Sequence, residues 1–205
     1  MLSYSESLKI LKETSALLEG HFILSSGLHS KHYIQCAKLL SFPKKAEIIC
    51  SSLCKKINYS IRKIDMILSP AIGGIVIGYE IGRQLNKETI FAERIKGELN
   101  LRRGFKIPKD SNVLIVEDVI TTGKSALECA NLIKISKANI AGYACIIDRS
   151  NIPELVIKDK IISQVKLEIE TFKNTDLPED LKKIKATEPG SRNLTKWELK
   201  GLVST

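Results

Sequence analysis

The chemistry-bearing residues gather between positions 117 and 125. Glu117 and Asp118 are adjacent carboxylates, and Thr121-Thr122-Gly123-Lys124-Ser125 follows them closely. The second group is a small-residue turn ahead of a helical pattern. Such a turn places backbone N–H groups at a helix N-terminus, where phosphate is favoured. Gly123 permits close approach of the backbone, and Thr121, Thr122 and Ser125 add hydroxyl donors. Carboxylates repel phosphate, so Glu117 and Asp118 need another task. They suit neighbouring hydroxyls, such as the 2- and 3-hydroxyls of a ribose. A sugar phosphate satisfies the whole segment. A bland alternative is a buried strand followed by a Thr- or Ser-capped helix, but a cap does not require two acids before it. A nucleotide P-loop is disfavoured because its first glycine would fall at position 118, which is Asp.

Three further sets carry polar chemistry. Arg149 follows the apolar run 141–147, and at the C-terminal end of a parallel strand it would face the ligand crevice of an open α/β sheet. Its planar fork suits a carboxylate; a surface pair with Asp148 is the duller reading. Pro70-Ala71-Ile72-Gly73-Gly74 can present N–H groups to a second anion or be only a tight turn. The segment 94–109 is basic, with Arg94, Lys96, Arg102, Arg103, Lys106 and Lys109 against Glu98 and Asp110. It reads as a solvated, mobile hairpin or as a cationic lid. His21, His29 and His32 lack metal-ligand spacing and are expected at the surface or in hydrogen bonds. The five cysteines are scattered without matching pairs, which disfavours zinc and points to small core residues.

The elements that must position these residues follow from periodicity. An amphipathic helix is expected over 5–19, ended by Gly20, and a β-hairpin over 20–36. Pro43 opens a helix to about residue 57. Strands are expected at 64–69, 89–93, 113–116, 141–147 and 165–169. Helices follow the glycine turn at 73–74 (Ile77, Ile81, Leu85) and the turn at 123 (Ala126, Leu127, Ala130, Ile133). Val113 to Val116 is apolar without a polar break, as a central parallel strand requires, and the acidic pair is expected where that strand ends.

The thirteen residues V-L-I-V-E-D-V-I-T-T-G-K-S at 113–125 resemble the phosphoribosyl-pyrophosphate (PRPP) motif of type I phosphoribosyltransferases. The run F-x-L-x-S-G-x-x-S at 22–30, followed by Tyr33, looks like the N-terminal signature of the orotate phosphoribosyltransferases. The resemblance implies an α/β fold: an open, mostly parallel sheet flanked by helices, with a small hood. It implies one domain over 1–205, with about 1–40 and the C-terminal segment in the hood and about 41–150 as the PRPP-binding core. It implies PRPP on Arg94 and on Glu117, Asp118, Val119, Ile120, Thr121, Thr122, Gly123, Lys124 and Ser125. It implies catalytic roles for Asp118, Glu117 and Lys96, and orotate on Thr121 and Arg149. The basic segment becomes a lid over pyrophosphate, shared between the subunits of a homodimer, and Mg²⁺ becomes the cofactor, with no metal held by a dedicated set of side chains. Ser25 and Gly73 stand where many or some members carry a basic residue, which removes two candidate cations. The implied reaction is orotate plus PRPP giving orotidine 5′-phosphate and pyrophosphate in pyrimidine synthesis.

Length and charge bound the rest. The 205 residues, 43% hydrophobic and 27% charged, suit one globular α/β domain. No apolar run approaches the roughly 20 residues of a membrane span, no secretion signal is evident, and an odd number of cysteines fits a reducing cytoplasm. The net charge of +9 is compatible with nucleic acid or with an anionic small substrate, and the lysines are spread along the chain. A purine phosphoribosyltransferase remains open. So does a PRPP-sensing, nucleic-acid-binding regulator, although nucleic acid is the weaker expectation because no helix-turn-helix segment precedes the core.

Overall fold

The computed structural model describes residues 1–24, 26–150 and 155–189. In chain order the elements are α1 (Tyr4–Glu13), β1 (Leu17–Ile23), β2 (His29–Ile34), α2 (Cys36–Leu40), α3 (Pro43–Ser60), β3 (Met66–Pro70), α4 (Gly73–Leu85), β4 (Glu88–Ile95), β5 (Glu98–Leu101), β6 (Asn112–Ile120), α5 (Lys124–Ile135), β7 (Asn139–Asp148), β8 (Ile161–Lys166), β9 (Thr171–Phe172) and α6 (Glu179–Lys182). They form two compact units. One comprises Met1–Ala16 with Gln35–Glu168, and the other comprises Leu17–Ile34 with the chain from Ile169 onward.

The larger unit is built on a six-stranded sheet of order β5-β4-β3-β6-β7-β8. All neighbours run parallel except β5, which returns antiparallel beside β4. The central strands are apolar on both faces, as a helix-covered parallel sheet demands: Ile67, Leu68, Leu114 and Val116 are fully buried. The α5 face collects Ile90, Val113, Ile115, Ala126, Cys129, Ala130 and Ile133 into one core. On α4, Gly78 and Gly82 let the helix lie against the sheet, since a Cβ at either would run into Ser69 or Thr89.

The smaller unit is a three-stranded sheet of order β1-β2-β9, with Phe22 bridged to Thr187. The expected hairpin is present. His21 and His29 are buried within it. His21 Nδ1 donates to the Ile184 carbonyl at 2.8 Å, so in the neutral ring its Nε2 accepts from His29 Nδ1 at 2.6 Å. This chain of bonds ties both strands to the C-terminal segment.

Four expectations change. The first helix ends at Glu13 instead of near residue 19. Ser15 turns left-handed (φ 56°), and Ala16 N–H reaches Leu11 O while Ser15 N–H reaches Lys12 O, a Schellman stop that does not need the later Gly20. The strand of the acidic pair runs on to Ile120, because Val119 and Ile120 pair with Ile147 and Asp148 of β7. The last sheet strand lies at 161–166, ahead of its expected place, in register with Tyr143–Asp148. The basic segment is not free of apolar anchors: Leu99 and Ile107 are buried, and Phe105 packs on the same core. The expectation for Ser25 and the tail beyond residue 189 lie outside the described residues.

Candidate active site at the carboxyl ends of β3, β4, β6 and β7

Parallel strands deliver their following loops to one edge of a sheet, where ligands of open α/β folds bind. Here β3 leads into α4 on one face and β6 leads into α5 on the other. The loops 71–72 and 121–123 therefore sit side by side at the switch between β3 and β6. The Ala71–Ile72 peptide is cis, and Ala71 N–H is anchored to Ala92 O. A Cβ on Gly73 would lie 2.9 Å from both carboxyl oxygens of Asp118. The absence of a side chain at 73 thus leaves room for that carboxylate.

Glu117 and Asp118 do not point the same way. Neighbours on a strand alternate faces. Glu117 lies with Cys129 and Glu128 on the α5 side, whereas Asp118 lies beside Gly73 on the α4 side. Asp118 Oδ1 accepts from Val119 N–H at 2.9 Å, and its backbone carbonyl faces Cys36 Sγ. Burial pushes the pKa of both upward. Glu117 is pushed up to about 8, first by burial and then by the charges of Asp118 and Glu128, and its Oε1 has no hydrogen-bond partner among the described residues.

The turn after β6 has the expected form. Gly123 is left-handed (φ 76°) and caps α5, with its carbonyl accepting from Leu127 N–H. Thr121, Thr122 and Lys124 are exposed, and Ser125 is half-buried. Lys124 N–H makes a long bond to Thr122 Oγ1 at 3.4 Å, and the other first-turn N–H groups of α5, with no partner four residues back, suit an anion. Val119 and Ile120 contribute backbone to this turn; the Ile120 side chain is buried in the core. A strap missed at the level of sequence holds the turn from behind. Val156 N–H donates to Thr122 O at 2.9 Å, and a Cβ on Gly123 would meet Ile157 at 2.8 Å.

The cations divide into free and engaged groups. Arg149 N–H donates to Ile120 O, which fixes its backbone beside the turn. Its Nε is buried without a partner among the described residues, and burial pushes the guanidinium's pKa down from the usual arginine value. The surface pair with Asp148 does not form; Asp148 Oδ1 accepts from Ser150 N–H instead. Arg94 is engaged: its guanidinium contacts Glu128 Oε2 at 2.9 Å and also donates to the Gly97 carbonyl. Lys96 and Gly97 form the two-residue turn between β4 and β5. Both have positive φ (49° and 94°), which matches the right-handed twist of the hairpin and leaves Lys96 exposed at its tip. Arg103 pairs bidentately with Glu93 and lies over Phe91, so it braces the hairpin. Glu128 had no sequence signal except that it is an acid one turn into the helix after the motif.

Comparisons with known proteins agree with this geometry. Residues 42–179 match the phosphoribosyl transferase domain. An orotate phosphoribosyltransferase of Caldicellulosiruptor bescii is 44% identical over 185 residues, covering 90% of this chain and 96% of that protein. Among solved structures, the orotate phosphoribosyltransferase of Aeropyrum pernix superposes with a TM-score of 0.68 at 24% identity, over 78% of this chain and 93% of that one. Adenine phosphoribosyltransferase of Thermoanaerobacter pseudethanolicus superposes with 0.57 at 17% identity, over 66% and 88%. The two structural likenesses share the fold across enzymes named for different bases, so the sequence relative carries the finer distinction. This chain belongs to the phosphoribosyltransferases and, within them, to the orotate phosphoribosyltransferase family.

Proposed function

We propose that this protein transfers the 5-phosphoribosyl group of PRPP to orotate, releasing pyrophosphate and forming orotidine 5′-phosphate for pyrimidine synthesis. The observation that carries the choice of base is Arg149, a half-buried guanidinium whose buried Nε has no partner among the described residues, beside the turn at 121–123. An unpaired buried cation is costly, and a planar carboxylate on the substrate offsets that cost with two parallel hydrogen bonds. Thr121, exposed in the same turn, is the second base contact.

The reaction forms a bond from the orotate ring nitrogen, which loses its proton to solvent, to the anomeric carbon as the bond to pyrophosphate breaks. The leaving group departs with the electron pair, and positive charge develops on the sugar. The protein's task is positioning and charge control. Residues 121–125 anchor the 5-phosphate on α5's N-terminus, with Val119 and Ile120 shaping the approach. Asp118 and Glu117 bind the ribose hydroxyls, and the Asp118 carboxylate favours the developing cation while Glu117, raised to about 8, holds its hydroxyl as a neutral carboxyl. Arg94 and Lys96 meet the pyrophosphate. Among the described residues, no cluster of three or more His, Cys, Asp or Glu side chains could cage a metal. The oxygen donors at hand, led by Asp118, instead fit Mg²⁺ carried by the substrate's own phosphate and hydroxyl oxygens, where it would neutralise the pyrophosphate.

A homodimer accompanies this reading. The exposed face of α4 and its N-cap carry Ile72, Val76 and Tyr79 at helical spacing, an apolar stripe suited to a second copy of the chain. The lid hairpin would then serve the neighbouring subunit. No helix among the described residues is long and apolar enough to cross a membrane; cytoplasmic location is proposed from the five buried, unpaired thiols.

The test mixes purified protein with PRPP, Mg²⁺ and orotate, and follows the loss of orotate absorbance beside tubes with adenine, hypoxanthine and uracil. Turnover of orotate alone, stopped by chelator, is the expected result. Turnover of another base instead would remove Arg149 from its role.

A further inference from the structure

Arg94 and Lys96 sit on the only hairpin of the larger unit's sheet among the described residues, and Arg94 is already occupied. Its Nη2 lies 2.9 Å from Glu128 Oε2, and its Nη1 lies 3.4 Å from Glu128 Oε1 while also donating to the Gly97 carbonyl. One guanidinium therefore ties the turn of the hairpin to the second turn of α5. Glu128 is three-quarters covered and stands on the same face as Glu117, next to Cys129. No other basic side chain is paired with Glu128 among the described residues. A carboxylate beside a polyphosphate site raises the cost of binding a polyanion. Its presence needs a reason, and the geometry offers one.

We propose that Glu128 is a positioning residue that acts as an internal competitor for Arg94. In the empty enzyme the Glu128 carboxylate stands in for a pyrophosphate oxygen. It parks the guanidinium on α5 and holds the 96–97 turn down. When pyrophosphate or PRPP arrives, its oxygens displace the carboxylate, and the hairpin is released with Arg94. The partner class is a polyphosphate, because only a group of higher charge than one carboxylate wins the exchange at a half-exposed site. The inference rests on the reading of Arg94 as a PRPP contact. It goes beyond that reading by assigning a cost and a switch to a residue outside the motif.

The test compares wild type, Glu128→Gln, Arg94→Gln and the double variant, all checked for unchanged thermal midpoints within a few degrees. Binding of magnesium pyrophosphate is read by calorimetry, and kcat and KM are read separately with orotate and PRPP. A partly solvent-screened pair is worth little, so removing the competitor should tighten pyrophosphate binding and lower KM for PRPP by roughly two- to fivefold. The kcat should stay the same or fall. Amide exchange in the 94–101 hairpin should quicken in the unliganded Glu128→Gln protein. In the Arg94→Gln background, the Glu128 change should do nothing to pyrophosphate affinity. Weaker or unchanged pyrophosphate binding in Glu128→Gln, with Arg94→Gln clearly impaired, overturns the competitor and leaves the catalytic reading intact. Wild type that binds pyrophosphate but turns over no orotate overturns the catalytic reading, and the binding data still decide the competitor.

Discussion

Arg149 and Glu117 each carry a buried polar atom without a hydrogen-bond partner among the described residues, Nε and Oε1. Arg149 keeps a buried Nε unsatisfied. Replacing it with Ala removes a charge-assisted, bidentate contact, so KM for orotate should rise roughly ten- to hundredfold while pyrophosphate binding is retained. Lys at 149 should recover little, because an ammonium has no planar fork. Equal orotate kinetics in the Ala variant would remove the residue from base recognition. Glu117 titrates near 8 in the fold against an ordinary value of 4.5. The folded protein thus binds this proton more tightly than the unfolded chain. Its stability contribution is complete below about pH 4.5 and is lost as pH climbs through about 8. Glu117→Gln should therefore have a midpoint close to wild type at pH 5 and a higher one at pH 9, by several degrees. A midpoint difference that does not grow with pH contradicts the buried neutral carboxyl.

Elements decide whether those side chains meet. The turn 121–123 is held by three independent features: a left-handed Gly123, the N-terminus of α5 and the strap at 155–157. A Cβ at 123 is strained at φ 76° and collides with Ile157. Gly123→Ala should cost about 1–3 kcal/mol of stability and lower turnover at least about tenfold, since the phosphate turn must move. Denaturant melts and steady-state rates check both together; a stable, active variant would show that the strap yields easily. The β4–β5 hairpin shows the opposite design. Its base is braced by Arg103 with Glu93 and by Leu99 and Ile107 in the core, while Arg94 supplies the side-chain bond to the two-residue turn, beyond the last ladder pair of Ile95 with Glu98. A firm base with a lightly held tip suits motion of the hairpin end that carries Arg94, Lys96 and Gly97.

At the scale of the whole molecule, the sheet brings residues from 70 to 150 to one edge, although they are far apart in the chain. The opposite chemistry, an exposed apolar stripe, is carried by α4. Val76→Glu places a charge in that stripe without touching the core. The expected outcome is a shift from dimer to monomer in sedimentation, with the fold retained and turnover reduced, since the proposed sharing of the lid would require both copies. A variant that remains dimeric moves the interface elsewhere.

The acidic pair, the T-T-G-K-S turn, the parallel strands and the family were legible in the linear sequence, because each depends on neighbours in the chain: apolar runs, turn glycines and a motif without gaps. The phosphate turn and Arg149 could be named for the same reason. Element ends were less legible. Ser15 replaced the expected glycine as a helix stop, and β6 and β8 took their limits from pairing with β7, which no local pattern records. Tertiary structure alone decided that Glu117 and Asp118 face opposite sides, that Gly73 makes room for Asp118, and that Arg94 is held by Glu128. These are relations between residues brought together by packing and strand alternation, and burial, which only the packed sheet creates, is what raises Glu117 and leaves Arg149 unpaired.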